Sequence, residues 1–407
     1  MSMPQSVRHI NEIRVLQSLF EQDGASRADL ARHLGLTRST IGNIVTNLIA
    51  TGAVSEQAEQ EPNDDSRVGR PRQGLELNRN HAFFIGADIG AENLTVIAIN
   101  FKGDIIDTAS APHRYQTQTS AEIVHELCTI IDKMSRKLPG ENRLRGLCIT
   151  LPGIVANQEM LIRAPALNWT NVPVLSLIRE RITLGCRILI ENDANAFAAG
   201  ELYNHRLPER GNTLCLLLET GIGGAVISEG RLMRGHRGYA GEVGHIFIGD
   251  RGYSNFSSMS GTFESLAGVR ALLTLAEKCC NTPHTLQSFT EAAKRKDTDA
   301  LKALDEWTYW LGRGLAALIC VLDPERIVIG GALSTLIPLA RQEISTALAA
   351  HLFPGHPQPD IVTSEGQTNG PALGGALILL RDFLAIDEQI LFARTDMGAT
   401  HLPIAAR

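Results

Sequence analysis

The chain has no run approaching 18 uninterrupted apolar residues, roughly what a helix needs to cross a bilayer, so no membrane span is expected. Its first residues, Met1 to Val15, lack an apolar stretch behind a basic start, so no secretory leader is expected either. No C-x-x-C pair occurs. The seven cysteines (Cys128, Cys148, Cys186, Cys215, Cys279, Cys280 and Cys320) are scattered and odd in number. That argues against a disulfide framework or a zinc knuckle, and for reduced, buried thiols in a cytoplasm. Aromatic residues are scarce, at 5%, which argues against a stacking platform for single-stranded nucleic acid. Positive charge is not in excess: 38 Lys plus Arg face 44 Asp plus Glu, a formal net charge of −6. A globally basic nucleic-acid coat is excluded, while a local DNA-binding patch is not.

What is present is ordinary globular material, 44% hydrophobic and 20% charged over 407 residues, which suggests two or three domains. The first 55 residues carry three helical patterns. Ile13, Leu16, Leu19 and Phe20 share one face of a helix over 10–22, and Gly24 breaks the pattern. Ser26-Arg-Ala-Asp29 has the form of a capping box and opens a second helix, with Leu30, Ala31 and Leu34 inward, that stops near Gly35. Thr37 can cap a third helix, in which Ile41, Ile44, Val45, Leu48 and Ile49 form an apolar stripe.

A short glycine-containing turn between the second and third helices is helix-turn-helix geometry. The polar face of the third helix offers Arg38, Ser39, Thr40, Asn43 and Asn47, able to donate to phosphates and base edges near the end that would enter a major groove. An ordinary three-helix bundle would show the same stripes. The next segment favours DNA. Two short strands, 53–57 and 74–77, flank an acidic turn-rich loop followed by Arg67-Val-Gly-Arg70-Pro-Arg72, which together make a wing. Arg67, Arg70 and Arg72 suit a narrow A·T-rich minor groove, with a solvated linker cluster as the alternative. Residues 1–80 are not net basic, so phosphate affinity must rest on a few placed arginines, which a dimer would double.

After residue 80 the texture changes. A strand over 83–90 ends in Asp88-Ile-Gly90, a second follows over 94–100, and Gly103-Asp104 marks a turn. A helix is predicted over 116–137 and a strand over 144–151, leading into Pro152-Gly153. The hairpin around Asp88-x-Gly90 resembles the first phosphate loop of the actin, hexokinase and heat-shock ATPase fold. Further motifs follow in order: Leu147 to Val155, Ala164-Pro-Ala-Leu-Asn168-Trp169, Glu191-Asn-Asp-Ala-Asn-Ala196, Glu219-Thr-Gly221-Ile-Gly-Gly224, Gly241-Glu242-Val-Gly-His245 and Asp323 to Gly331. In this order and at these spacings they resemble the ROK family of repressors, open reading frames and sugar kinases, over residues 83–380. The segment in front resembles the winged helix of the family's repressors, such as those for xylose and N-acetylglucosamine, which its kinases lack.

The resemblance implies an α/β protein: an N-terminal winged helix-turn-helix over 1–78 and a two-lobed actin/hexokinase-like (ribonuclease H-like) body. The first lobe is expected over 82–195, joined by a C-terminal helix at about 385–407. The second, with the sugar cleft and the oligomer contacts, is expected over 196–384. The resemblance also implies that Asn168, Asn192, Asp193, Glu242, His245 and Glu264 line a sugar site. In the kinases the Asp matching Asp193 takes the proton from the attacking hydroxyl; a carboxylate there can equally accept a hydrogen bond with no reaction.

Two departures matter. The kinases carry Asp-x-Gly-Gly-Thr-Lys at the first phosphate loop and Gly-Thr-Gly-x-Gly-Gly at the second. Here Asp88-Ile-Gly90-Ala91-Glu92-Asn93 and Glu219-Thr220-Gly221-Ile222-Gly223-Gly224 stand in their places. Unless Glu92 and Glu219 point to solvent, each opposes a triphosphate by roughly 1–4 kcal/mol at contact range. The family's zinc cysteines also become Asn255, Ser257 and Thr262, poor zinc ligands, so no structural metal and no cofactor are expected. The sequence thus reads as a non-catalytic, sugar-responsive repressor, a homodimer or homotetramer. It would bind operator DNA and a sugar or sugar phosphate. An ATP-dependent sugar kinase with a DNA-binding appendage is the competing reading, and a repressor released by a protein partner the third.

Overall fold

Three helices open the chain in a computed structural model, which describes residues 5–57, 73–140, 143–156, 159–203, 211–253, 259–364 and 369–385. They are α1 (Gln5–Glu21), α2 (Arg27–Leu34) and α3 (Arg38–Ala50). The caps are those the sequence predicts. Ser26 and Asp29 form a reciprocal capping box at α2, and the Thr37 hydroxyl accepts from the Thr40 N–H at α3. Ile41, Ile44, Val45 and Leu48 of α3 are buried. Strands β1 (Val54–Glu56) and β2 (Leu75–Leu77) pair antiparallel, with Val54 opposite Leu77, and form the stem of a wing.

The body holds two five-stranded sheets of the same plan. The first lobe contains β3 (Phe83–Ile89), β4 (Asn93–Asn100), β5 (Ile105–Pro112), α4 (Ser120–Lys137), β6 (Leu144–Leu151), β7 (Ile154–Ala156), β8 (Met160–Ala164), β9 (Trp169–Val172), α5 (Val174–Arg179) and β10 (Arg187–Asn192). Its main sheet runs β10-β6-β3-β4-β5, and β7-β8-β9 form a small separate sheet. The helix α6 (Asp193–Tyr203) leads to the second lobe. That lobe contains β11 (Asn212–Leu218), β12 (Ile222–Ser228), β13 (Arg231–Leu232), α7 (Phe263–Ala267), α8 (Val269–Cys280), α9 (Leu286–Lys294), α10 (Thr298–Leu322), β14 (Arg326–Gly330), α11 (Arg341–His351) and β15 (Asp360–Thr363). Its sheet runs β13-β12-β11-β14-β15. In each sheet an antiparallel meander is extended by two parallel strands, the duplicated plan of the actin-like fold.

Both faces of the central strands are covered, so they read as near-continuous apolar runs. Ile85, Ala87 and Ile89 of β3 face a core with α4 and α5, while Phe84 faces a second core. That second core contains α12 (Gly370–Phe383) and the winged helix. Val15, Leu19, Leu30, Ile41, Ile44 and Leu75 belong to the same cluster as Phe84, Ile97, Phe101 and Leu377. Polar contacts tie the same boundary. The Lys102 ammonium lies 2.9 Å from Asp23 and 2.7 Å from Glu76, and the Gln17 amide donates to the Leu384 carbonyl at 2.9 Å.

The expected division meets the structure at two points. The described helix that packs on the first lobe's sheet is α12, over 370–383, and the C-terminal helix expected at about 385–407 falls on residues of which 386–407 lie outside the described ones. The expected division at 195/196 falls inside α6, a single helix with Ala194 and Phe197 on the second lobe's sheet and Ala196 and Ala199 on α12. Among the described residues, no helix is long and apolar enough to cross a membrane.

The α6–α12 contact is backbone on backbone. A Cβ added at Gly374 would sit 1.8 Å from the Ala196 carbonyl oxygen, and one at Gly86 would sit 1.7 Å from that of Ala372. Neither neighbour is a flexible side chain that can turn away. G374A is therefore expected to destabilise the protein by about 3 kcal/mol, the upper part of the usual overpacking range. A urea unfolding midpoint equal to that of the wild type would refute the contact.

Candidate functional site

A cleft of about 1040 Å³ lies between the lobes, and the two-fold repetition of the fold places its walls. The tight β3–β4 turn brings Asp88, Gly90 and Glu92 to it, and the corresponding β11–β12 turn brings Glu219, Thr220 and Gly221. The β10–α6 junction contributes Asn192 and Asp193. The loop after β13 brings Glu242 and His245, and α7 brings Glu264.

Five of the six predicted sugar residues thus line one cleft: Asn192, Asp193, Glu242, His245 and Glu264. Asn168 does not. It is exposed at the left-handed end of a short turn over 165–167, with φ 55°, beside the lining residues Pro165 and Ala166. Asn192 is already engaged: its Nδ2 donates to the Gly153 carbonyl at 3.1 Å and its Oδ1 accepts from the Asn195 N–H at 2.9 Å. It therefore fixes the Pro152-Gly153 turn and keeps one donor and one lone pair for a ligand. Glu264 is buried and accepts from the Ile222 N–H, while His245 lies 3.8 Å from Glu264 and 3.7 Å from Glu242. The imidazole thus stands between two carboxylates, beyond hydrogen-bond distance of either.

Crowded carboxylates dominate the electrostatics. Burial pushes the Asp88 carboxyl up to about 8, helped by the charge of Asp193 and opposed by the Thr150 hydroxyl, which donates to it at 2.7 Å. Asp193 rises to about 6, again mainly by burial and then by Glu242, against the hydrogen bond from the Ala194 N–H. Burial also raises Glu219 to about 7 and raises Glu242. Glu219 does not point into open solvent: it lines the cleft, and its Oε1 accepts the Ala332 N–H at 3.0 Å, beside the Gly330-Gly331 turn. Glu92 is exposed on the same wall. Such a cleft offers hydrogen-bond acceptors to the hydroxyl groups of a ligand.

Sequence reasoning missed the ion pair of Arg234 with buried Glu191, at 2.7 Å, which ties the loop carrying Glu242 to the β10–α6 junction. The pair joins residues remote in sequence, and no local spacing announces it. Of the former zinc positions, Asn255 and Ser257 lie outside the described residues. The Thr262 hydroxyl donates to the Met259 carbonyl. Among the described residues, no group of three or more His, Cys, Asp or Glu is arranged to hold a metal.

A second candidate surface lies on α3. Arg38, Ser39 and Asn43 are exposed, Thr40 is half-buried, and the Thr40 and Ser39 hydroxyls cluster on Thr37 at the helix start. Asn47 departs from expectation: its amide donates to Glu12 of α1 at 2.9 Å and so joins two helices. The wing arginines Arg67, Arg70 and Arg72 lie outside the described residues.

Comparison with known proteins gives the family of the chain. A sequence profile described as the ROK family matches residues 84–382, most of the chain. The chain belongs to the ROK family. The xylose repressor of Bacillus spizizenii is 28% identical over 387 residues, covering 93% of this chain and 97% of the repressor. The glucokinase of Streptomyces coelicolor is also 28% identical, but over 321 residues, 73% of this chain and 97% of the kinase. Among solved structures, a ROK family transcriptional regulator described as a homologue of the Escherichia coli MLC protein superposes with a TM-score of 0.75. It is 22% identical, with 95% of this chain and all of that chain covered. The two regulators span the winged helix as well as the lobes; the glucokinase does not.

The ROK cleft should be legible in stability measurements. Unfolded carboxyls titrate near pH 4, whereas Asp193, Glu219 and Asp88 keep their protons up to about 6, 7 and 8 when folded. Between about pH 4 and 8 the folded protein thus binds more protons than the unfolded chain, and their contribution to stability is lost as pH rises. The urea midpoint is expected to fall from pH 5 to pH 8, and Asp88→Asn to raise the pH 8 value and flatten the slope. A variant as pH-sensitive as the wild type would refute the assignment of Asp88.

Proposed function

We propose that the protein is a sugar-responsive transcriptional repressor that binds operator DNA through α3 and the wing and a sugar in the interlobe cleft. One observation carries the reading: the winged helix is fused to the cleft-bearing body by a continuous hydrophobic core. A change of lobe geometry can therefore move the DNA-reading helix. Full-length similarity to a xylose repressor supports the same conclusion.

In the cleft, Asp193, Glu242 and Glu264 accept hydrogen bonds from sugar hydroxyls, and the remaining Asn192 donor supplies one. Two lobes contribute these groups, so a bound ring favours the closed arrangement and shifts the population toward it. Arg38, Ser39, Thr40 and Asn43 contact phosphates and base edges, with Arg67, Arg70 and Arg72 in the adjoining minor groove. A homodimer places two such helices on half-sites about one helical turn, or a multiple, apart.

The site is not read as catalytic. Phosphoryl transfer needs charge neutralisation around the leaving phosphates. Here Glu92 and Glu219 line the loops that would hold them, and Glu219 occupies the Ala332 N–H. The glucokinase relative keeps a kinase reading in view, and one assay separates the two. Coupled measurement of ATP consumption with D-xylose, D-glucose and N-acetylglucosamine is expected to show no turnover. Sugar-dependent turnover abolished by Asp193→Asn would make the protein a kinase.

The regulatory reading is tested by fluorescence anisotropy on duplexes selected from random sequence by the protein itself. One sugar of the panel is expected to weaken binding about 5- to 150-fold, the usual span of allosteric coupling. Glu264→Gln is expected to keep sugar-free DNA affinity and to weaken the sugar about 10- to 150-fold, the worth of a charged hydrogen bond. Failure to select any duplex, or selected DNA indifferent to every sugar, would sink the reading.

A further inference from the structure

Where α6, α12 and α1 meet, one guanidinium lies between two aromatic rings. Arg381, in the last turn of α12, has its guanidinium carbon 4.9 Å from the centre of the Tyr203 ring and 5.5 Å from that of Phe20. Tyr203 is the last residue of α6, whose first residue is Asp193 in the cleft. Phe20 lies on α1, in the winged helix. One side chain therefore touches the far end of the helix that begins at the ligand site and the helix that carries the DNA-binding head.

The surroundings sharpen this. The Arg381 Nε is buried and has no hydrogen-bond partner among the described residues. Attraction to the ring faces is then the interaction that holds this part of the group, and it weakens as either ring moves away. The neighbouring residues fix α12 itself. Asp382 pairs with Arg187 of β10 at 2.8 Å, and Phe383 meets Phe84 and Phe101 edge-on with centroids 5.7 Å apart in each case. On the other side, Gln17 of α1 reaches the Leu384 carbonyl. The end of α12 is thus anchored to the first lobe, while Arg381 extends from it to the C-terminal end of α6 on one side and to α1 on the other.

We propose that Arg381 is a positioning residue that couples the two sites: a shift of α6, made when a ligand engages Asp193, is passed through the Tyr203–Arg381–Phe20 stack to α1 and so to α3. The proposal rests on the sugar-responsive reading above and adds the residue that carries the response. It makes Arg381 neither a ligand contact nor a DNA contact. Its removal should therefore spare both affinities and abolish their dependence on each other.

The test uses the full-length protein, the selected duplex, and a panel of D-xylose, D-glucose, N-acetylglucosamine and the 6-phosphates of the last two. Three quantities are measured: sugar affinity by calorimetry, sugar-free DNA affinity by anisotropy, and the factor by which saturating sugar changes DNA affinity. For Arg381→Met, which keeps the apolar stem, the factor is expected to fall below about 2, with both separate affinities within about threefold of wild type. Arg381→Lys, which keeps the cation, is expected to retain most of the factor. A merely structural role would lower the melting temperature and leave the factor intact. Phe20→Leu and Tyr203→Leu remove one ring each and are expected to reproduce the loss, which keeps the proposal testable if Arg381→Met folds poorly. Wild-type coupling in Arg381→Met, or in both ring variants, would overturn it. A wild-type protein whose DNA binding ignores every sugar would instead refute the sugar-responsive reading on which it stands.

Discussion

Backbone lies directly against backbone where α12 crosses α6 and β3, and most of the architecture depends on that crossing. Gly374 against Ala196 and Gly86 against Ala372 leave no room for even one extra carbon. Contacts this close fix the distance between elements more tightly than interlocking side chains, which can change rotamer. They also couple the ends of the chain. The last described helix packs on the sheet that the first body strand begins, and supplies part of the core in which the winged helix sits. The first lobe's core is therefore finished by chain that follows the second lobe, a topology rich in non-local contacts.

The cleft sits beside this rigid crossing and carries the opposite property. Its carboxyls are held where burial and mutual repulsion make ionisation costly, as the raised Asp88, Asp193 and Glu219 show. Groups in that condition gain when a ligand brings hydroxyl donors, because each donor stabilises the charged form that burial penalises.

How much of this was legible depended on whether the signal was local. Ser26, Asp29 and Thr37 announce their helices because a cap is a contact over three residues. The first hairpin was readable from Asp88-Ile-Gly90, where a tight turn demands small residues between apolar strands. Five of six cleft residues followed from their motifs, whereas Asn168 stands on a turn beside the lining rather than in it. The extent of α12 was missed because Gly370-Pro-Ala-Leu-Gly-Gly375 reads as poor helix by propensity. Burial of Pro371, Ala372, Gly374, Gly375 and Ala376 against α6 and the sheet overrides it. Asn47 looked like a DNA contact because spacing gives the face of a helix but not its neighbour; α1 covers that edge, and Glu12 takes the amide. Arg381, Tyr203 and Phe20 could not be grouped at all, since their meeting is a product of three helices packing.

The fusion of the winged helix to the body decides what kind of regulator such a molecule can be. A head on a flexible tether would feel the cleft only through the average separation of two heads, and chain entropy would absorb small displacements. Here Lys102 bridges Asp23 and Glu76, Gln17 holds Leu384, and Leu19, Leu75, Phe101 and Leu377 share one core, so the head is packed on the first lobe and not tethered to it. A displacement at α6 has few ways to dissipate before it reaches α1. The free energy available is bounded by how much better a sugar binds one lobe arrangement than the other. A rigid joint does not increase that energy. It determines how much of it arrives at the DNA.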